Sequence, residues 1–264
     1  MEINKIYNEN NLDTMAKMPD NFIDLTVTSP PYDGLRKYNG YVFDFKNTAK
    51  ELYRVTKDGG VVVWIVADGT ENGSRTGTSF KQALYFIECG FNLHQRLFYE
   101  KSGPPPDNTR YEETIEEMFV FSKGKPKTIN LIKDKKNNWS GTTTFGTKTT
   151  REKDGTLTKK KSNIIAEYGK RTSVWRYDTG KNYTTKDEIA FEHPAIFPEK
   201  LAADHIYTWS DGNDLIYDPF MGSGTTAKMA FIHKRNYIGS ELSKQYTDLA
   251  NKRLEEYINQ TSLF

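Results

Sequence analysis

The chain has 264 residues, 36% of them apolar, so it is long enough to bury a full core, which we expect to be one α/β domain with an insertion. The net charge is only +2, no run approaches the roughly 20 apolar residues of a membrane span, and the polar start MEINKIYNENN lacks a signal peptide's apolar stretch, so we expect a cytoplasmic protein. The single cysteine, Cys89, excludes an internal disulfide and a cysteine-based zinc cluster; its setting FIECGF predicts a buried helix end, and we expect no metal site.

The predicted elements alternate between helices and strands along the chain. The residue patterns predict helices over 11–19, 45–60, 79–90 and 225–233, and strands over 22–28, 61–67, 91–100, 116–123, 214–217 and 236–240. A loop punctuated by prolines enters a further helix within 192–210. Strands that read as continuous apolar runs are buried on both faces, which predicts a doubly wound, mostly parallel α/β sheet.

The strand predicted over 22–28 ends in the sequence SPPY at residues 29–32. Proline fixes its own backbone and pushes the preceding residue toward extended geometry, so Ser29, Pro30 and Pro31 form a stiff segment with open carbonyl oxygens. One interpretation is a strand-ending turn. The other is a fixed set of hydrogen-bond acceptors, and the motif alone does not decide between them.

Positive charge is concentrated in one segment of the chain. Residues 122–186 contain 17 Lys or Arg against 5 Asp or Glu, a net charge of +12, so the remaining residues carry −10. The segment is either a solvated, partly disordered insert or an arm that neutralises phosphates. The candidate DNA-binding residues are Lys133, Lys135, Lys136, Lys148, Arg151, Lys159, Lys160, Lys161 and Arg171, and the aromatic residues available for stacking are Trp139, Phe145, Tyr168, Trp175 and Tyr177.

A glycine-rich turn lies between the strand and the helix predicted over 214–217 and 225–233, and the acidic residue Glu241 follows about 20 residues later. This arrangement is typical of a nucleoside-bearing ligand whose ribose hydroxyls donate to the carboxylate. The turn lacks a third glycine and the lysine of a phosphate-binding loop. With Asp218 available at the strand end for an ammonium group, S-adenosylmethionine fits better than a dinucleotide.

Three motifs together resemble a known family. TSPPY at 28–32 is similar to the catalytic motif of DNA methyltransferases that act on exocyclic amines, DPFMGSGTT at 218–226 to their S-adenosylmethionine motif, and HPAIFPEKL at 193–201 to the segment before it. The motif order is that of the circularly permuted β group. The resemblance implies a Rossmann-like catalytic domain over 1–123 and 190–264, with a basic target-recognition insertion over 124–189.

The resemblance also implies roles for individual residues. The catalytic residues would be Ser29, Pro30, Pro31 and Tyr32, and the cofactor-binding residues Asn10, His193, Asp218, Pro219, Phe220, Gly222, Ser223, Gly224, Thr225 and Glu241. Asn10 stands where the family has an Asp that faces the cofactor's adenine amine, and its amide oxygen can still accept from that amine.

A chemical reason accompanies the implied catalytic residues. An exocyclic amine is a poor nucleophile because its lone pair is delocalised into the ring. The Ser29 side chain and the Pro30 carbonyl can accept from the amine of a base flipped out of the duplex, and Tyr32 can stack on that base. The methyl group is then transferred directly to nitrogen without a covalent enzyme intermediate.

Several alternatives remain open at this stage. Within the resembling family, Ser before the prolines and the HPAIFP form favour cytosine N4 over adenine N6. Other classes are a methyltransferase of non-DNA amines and an inactive DNA-binding protein. The expected partner is double-stranded DNA, bound with strong salt dependence, and the family also suggests a homodimer. We expect a restriction endonuclease of a restriction-modification pair, where one exists, to be a separate chain.

Overall fold

The structure is a computed structural model that describes residues 1–32, 43–103, 108–143, 148–160 and 163–261. The chain divides into two compact units, Met1–Asn130 with Ser173–Phe264, and Leu131–Thr172. The basic segment expected over 124–189 is therefore longer than the second unit, because its two ends belong to the first unit. In the described residues, no helix is long and apolar enough to cross a membrane.

The elements follow the alternating order expected from the sequence. The helices are α1 (Asn11–Ala16), α2 (Phe45–Val55), α3 (Thr78–Glu88), α4 (Glu199–Trp209), α5 (Thr225–Ile232) and α6 (Lys244–Thr261), with a 3-10 helix at Glu188–Glu192. The strands are β1 (Lys5–Tyr7), β2 (Ile23–Thr28), β3 (Thr56–Val66), β4 (Thr70–Glu71), β5 (Ser74–Arg75), β6 (Asn92–Lys101), β7 (Ile115–Ser122), β8 (Lys135–Lys136), β9 (Lys148–Arg151), β10 (Leu157–Lys160), β11 (Tyr168–Gly169), β12 (Val174–Tyr177), β13 (Leu215–Asp218) and β14 (Asn236–Ser240).

Within the described part of the first unit, eight strands form one sheet in the order β1, β14, β13, β2, β3, β7, β6, β12. The neighbouring pairs are parallel except for those of β7, which runs antiparallel to both β3 and β6. The expected doubly wound, mostly parallel Rossmann-like sheet is therefore confirmed.

Helices cover both faces of this sheet. Successive residues of β3 alternate between two apolar clusters, with Val61 and Val63 in one and Val62 and Trp64 in the other. Helices α4, α5 and α6 contribute buried residues to the first cluster, and α1, α2 and α3 to the second. This double cover explains why the strands read as continuous apolar runs in the sequence.

One predicted boundary is wrong. The helix expected over 45–60 ends at Val55, and β3 begins at Thr56, because Thr56 pairs with Ile23 of β2. The pairing register then shifts before Leu25 meets Val61, and a Cβ on Gly60 would lie 2.8 Å from the Thr56 side chain. Gly59 and Gly60 therefore lie at an irregularity inside β3 and do not stop the helix.

The second unit contains two short antiparallel pairs, β8 with β11 and β9 with β10. The Trp139 side chain is exposed, as is that of Tyr168. By contrast, Trp175 and Tyr177 lie on β12 of the first unit and are buried in its core, so the expectation that they stack on DNA is wrong. Phe145 lies outside the described residues.

Candidate active site

The sequence motifs meet at one edge of the sheet. The adjacent parallel strands β2, β13 and β14 end at Thr28, Asp218 and Ser240, and the segments that follow them all reach the same cavity. The cavity has a volume of about 1140 Å³. Ligands of open α/β sheets bind in this position, beyond the carboxyl ends of the strands.

Most of the predicted site residues line this cavity. The structure brings together all four residues of the predicted catalytic motif and most of the predicted cofactor set: Ser29, Pro30, Pro31 and Tyr32, with Asn10, His193, Pro219, Phe220, Gly222, Ser223, Thr225 and Glu241. Two predicted cofactor residues, Asp218 and Gly224, do not line it. The cavity therefore combines the two motifs that the sequence separates by almost 190 residues.

Glu241 is held by the backbone of the glycine-rich turn. Its Oε2 accepts from the N–H of Gly222 at 2.9 Å, and its Oε1 accepts from the N–H of Ser243 at 2.8 Å. Burial raises the pKa of the Glu241 carboxyl, and these backbone donors oppose the rise. A carboxylate has about four acceptor positions, so Glu241 retains capacity for hydroxyl donors such as those of a ribose.

The glycine-rich turn needs glycine at two positions. Gly222 has φ +51, and a Cβ there would lie 3.0 Å from Nε2 of His193. Gly224 has φ +82, and its Cβ would lie 2.9 Å from the Ala250 side chain, so this glycine packs the turn against α6. His193 is buried, its ring packs edge-to-face on Tyr246 at 4.3 Å, and its Nδ1 accepts from the N–H of Ala195. The His193 imidazole is thus held in place directly beside Gly222 of the turn.

Asp218 lies behind the cavity wall. It is 1% exposed, and its Oδ1 accepts from the Thr28 hydroxyl at 2.6 Å and from the Phe220 N–H at 3.0 Å. Burial raises the pKa of Asp218 to about 6. The carboxylate therefore joins the end of β2 to the glycine-rich turn. The structure does not bring it into position for the direct ammonium contact expected from the sequence.

Asn10 has a structural task beside its place in the cavity wall. Its Oδ1 accepts from the N–H of Leu12 at 2.9 Å and caps the N-terminus of α1. The amide oxygen that the sequence assigned to the cofactor's adenine amine is thus already engaged by a backbone donor.

The cavity is also lined by residues that the sequence analysis did not single out, and three of these lie on β6 and β7. Tyr99 and Lys101 lie at the end of β6, and Glu116 lies near the start of β7. Glu116 accepts from the Tyr32 hydroxyl at 2.8 Å and pairs with the Lys101 ammonium group at 2.8 Å. A carboxylate in a strand otherwise rich in buried apolar residues is the signal that could have indicated Glu116.

A buried cluster of charged side chains supports the glycine-rich turn from outside the cavity. The Arg253 side chain is 1% exposed and donates to the Ser223 carbonyl at 3.0 Å and to the Thr225 hydroxyl at 3.1 Å. Arg253 also pairs with Asp187 and Glu199, and Lys228 pairs with the same two carboxylates. These charged groups lie on separate elements, so the sequence did not reveal their association.

The candidate DNA-binding residues of the second unit differ in their surroundings. Lys133, Lys135, Lys136 and Arg151 are exposed, whereas Arg171 is half-buried and donates to Asp134 at 2.8 Å. Lys148, Lys159 and Lys160 belong to the β9–β10 pair. Lys161 lies outside the described residues.

Comparison with known proteins identifies the class of this enzyme. A family model described as DNA methylase, for N6 and N4 methyltransferases, matches residues 23–252. The orphan methyltransferase M.BamHII of Bacillus amyloliquefaciens is 58% identical over 238 residues, which cover 89% of this chain and 90% of that protein. The type II methyltransferase M.BglII of Bacillus subtilis is 25% identical, over 94% of this chain and 68% of that protein.

Two solved structures share the fold. The cytosine-N4-specific PvuII DNA methyltransferase superimposes with a TM-score of 0.66 and 18% identity, over 93% of this chain and 84% of that chain. The M1.HpyAVI complex with SAM superimposes with a TM-score of 0.60 and 21% identity, over 95% of this chain and 99% of that one. The chain belongs to the DNA methylase family of N6 and N4 amino-methyltransferases. It is a DNA methyltransferase, and its family uses S-adenosylmethionine.

Proposed function

We propose that this enzyme methylates the exocyclic N4 of a cytosine that has been flipped out of double-stranded DNA. The observation that carries the proposal is the single cavity lined by Ser29, Pro30 and Tyr32 on one side and by Glu241 and the glycine-rich turn on the other. An acceptor set for an amine and an acceptor for ribose hydroxyls in one cavity suit a direct transfer between two bound molecules. Adenine N6 is the alternative target.

The choice of cytosine rests on the form of two motifs. Ser29 precedes the prolines where adenine-specific members more often have Asp, and the segment at 193–198 has the form HPAIFP. Both features are associated with cytosine N4 specificity within the family. The identity of the methylated base is therefore a direct test of the proposal.

The residues present fit S-adenosylmethionine. When bound, this cofactor supplies a methyl group attached to a positively charged sulfur. Glu241 would accept from its ribose hydroxyls, and the turn from Pro219 to Thr225 would surround its methionine portion. Gly222 has no side chain to fill the space beside His193, so the backbone of the turn can approach a ligand closely.

The protein's own groups would act on the base. The Ser29 hydroxyl oxygen and the Pro30 carbonyl would accept from the two amine hydrogens and favour a more pyramidal, more nucleophilic nitrogen. The stiffness of Ser29-Pro30-Pro31 holds both acceptors in place before the base enters, so little reorganisation is left for the reaction. The half-buried Tyr32 ring packs beside the second apolar cluster, where it would stack on the flipped base.

The second unit would bind the phosphates of the duplex. Its exposed basic residues, with the exposed Trp139 ring, provide the charge and one stacking surface. Phosphate contacts carry no sequence information, so they position the enzyme and leave the target sequence to other contacts. A homodimer, a separate cognate restriction endonuclease and a cytoplasmic location stay predictions from the family resemblance and the sequence.

A pair of variants separates the two halves of the site. Ser29→Ala should keep S-adenosylmethionine affinity and lower the methyl-transfer rate by about 100-fold, as expected when one preorganised hydrogen bond to the reacting group is lost. Glu241→Ala should weaken cofactor binding by at least about 10-fold, because charge-assisted hydrogen bonds contribute roughly 1.5–3 kcal/mol each. Calorimetry of cofactor binding and single-turnover methylation measure the two effects. Equal loss of folding in both variants would contradict the assigned roles.

A further inference from the structure

A chain of hydrogen bonds runs from the catalytic motif to Glu116. The Ser29 hydroxyl donates to the Tyr32 hydroxyl oxygen at 3.0 Å, and the Tyr32 hydroxyl donates to Oε2 of Glu116 at 2.8 Å. The Lys101 ammonium group donates to Oε1 of Glu116 at 2.8 Å. All four residues line the cavity, so the chain connects the proposed amine acceptor to an ion pair on two other strands.

The Glu116 carboxylate at the end of this chain sets the direction of each hydrogen bond in it. An ionised carboxylate paired with an ammonium group can only accept, and it has no proton to donate. The Tyr32 hydroxyl has one proton and must give it to Glu116, so its oxygen can only accept from Ser29. Burial, and secondarily the Glu116 charge, raise the pKa of Tyr32 well above its ordinary value, so this proton is retained. The single Ser29 proton is thereby used, and its oxygen offers only lone pairs to the cavity.

This direction matters because a serine hydroxyl, unlike an aspartate, can either accept or donate. A hydroxyl that donated to the exocyclic nitrogen would engage the lone pair that must attack the methyl group. A hydroxyl that accepts from the amine favours the nucleophilic form. Ser29 is therefore an effective acceptor only while the hydrogen bond from its own proton is directed away from the base.

We propose that Glu116 is a positioning residue that fixes the direction of the Ser29–Tyr32–Glu116 hydrogen bonds, so that Ser29 presents only an acceptor to the target amine. The inference rests on the proposed function, specifically on Ser29 as an acceptor for that amine. It assigns to Tyr32 a second task beside stacking on the base. It assigns to Lys101 the task of holding one oxygen of Glu116, which leaves the other for Tyr32.

The substitution Glu116→Gln tests the direction with almost no change in shape. Lys101 has three donors and no acceptor, so it would keep the Gln oxygen on its own side and turn the Gln NH₂ toward Tyr32. The Gln NH₂ would donate to Tyr32, Tyr32 would donate to Ser29, and Ser29 would donate toward the amine. The whole chain is then reversed, while the site keeps its size and its Lys101 contact.

The expected result is a fall of about 100-fold in the single-turnover methylation rate of Glu116→Gln, by analogy with the loss of one preorganised hydrogen bond at a reacting group. The dissociation constants for S-adenosylmethionine and for duplex DNA, measured by calorimetry and fluorescence anisotropy, should stay within about 3-fold of wild type, since their contacts remain. The matched control is Glu117→Gln on the same strand. Because Glu117 does not line the cavity, the single-turnover methylation rate of this variant should equal that of wild type.

A double-mutant cycle tests whether Glu116 acts on Ser29 through the Tyr32 hydroxyl. Tyr32→Phe keeps the ring and deletes the hydroxyl between Ser29 and Glu116, and should lower the rate by about 10-fold because the Ser29 proton loses its acceptor. Adding Glu116→Gln to Tyr32→Phe should then cost no more than about 3-fold, because the reversed direction can no longer reach Ser29. Strong non-additivity of this kind is expected for residues that act through one hydrogen-bond network.

Three results would overturn the inference. One is a wild-type rate in Glu116→Gln. Another is an equally large effect of Glu116→Gln with and without the Tyr32 hydroxyl. The third is a loss of cofactor or DNA affinity as large as the loss of rate, which would indicate a purely structural role. If the wild-type protein itself methylates no DNA, the proposed function fails, and that outcome is distinct from the other three.

Discussion

The buried carboxylate of Asp218 should make the stability of this enzyme depend on pH in a direction opposite to that of most paired carboxylates. Burial raises the pKa of Asp218 from its ordinary value of 3.8 to about 6 in the folded protein. The folded state then binds more protons than the unfolded state between these values, so stability falls as pH rises through them. The full cost of ionisation is about 3 kcal/mol, reached above the folded pKa.

Asp218→Asn removes this cost and keeps the shape of the site. Thr28 and Phe220 both donate to the same oxygen, Oδ1, which the amide of Asn retains. The variant should gain stability relative to wild type, by about half of the 3 kcal/mol at pH 5 and by nearly all of it at pH 8. It should also retain cofactor affinity, because Asp218 does not line the cavity.

Urea denaturation of both proteins at pH 5, 6, 7 and 8 measures this difference directly. The pH dependence of the difference isolates Asp218, since the other titrating groups are common to both chains. Asp248→Asn, on the exposed surface of α6, controls for the Asp-to-Asn change in general. A difference that does not grow with pH, or an Asn variant that loses stability as pH rises, would refute the assignment of Asp218 as a buried structural carboxylate.

Two further predictions concern the site, and a third concerns the second unit. Gly222→Ala should destabilise the protein by about 1–3 kcal/mol and weaken cofactor binding, since φ is +51 and an imidazole lies 3.0 Å from the new Cβ; Gly77→Ala, with positive φ and open space, is its control in thermal unfolding. Arg253→Met should cost about 3–5 kcal/mol in denaturant titration, because it leaves buried carboxylates short of a partner; full stability would contradict this. The double change Lys135→Ala and Lys136→Ala should reduce the logarithmic salt slope of DNA binding by about 2, whereas an unchanged slope would exclude phosphate contacts there.

The parts of the site that follow strand ends were predictable from local sequence. Two short patterns of about ten residues each were recognisable. One is β2 with the SPPY segment after it, and the other is β13 with the glycine-rich turn. Because carboxyl ends of adjacent parallel strands lie together, the meeting of Ser29 with Glu241 could be expected once the sheet was predicted.

The parts that depend on pairing between distant strands were not predictable. Glu116 reaches Tyr32 because the antiparallel strand β7 is placed between β3 and β6, and no single-sequence pattern gives that order. The end of α2 at Val55 is likewise decided by the pairing of Thr56 with β2. Trp175 looked available for DNA because its neighbours in sequence are basic, whereas pairing of β12 with β6 buries it.

Asp218 shows a further limit of motif reading. Its position in DPFMGSGTT suggested contact with the cofactor, but the structure directs its side chain to the Thr28 hydroxyl and to the backbone of the turn. A sequence motif indicates which residues are associated with a function, whereas the packing in the structure determines which of their side chains face the cavity. Arg253 illustrates the converse, because it supports the turn from a helix that carries no motif.

Incubation of the purified protein with unmethylated duplex DNA and methyl-labelled S-adenosylmethionine, followed by digestion to nucleosides and mass analysis, tests the central claim most directly. The proposed function predicts label in N4-methylcytosine, formed about 100-fold more slowly by Ser29→Ala. Label in N6-methyladenine would keep the site chemistry and overturn the choice of base. Cofactor binding without label in any DNA nucleoside would contradict the proposed reaction.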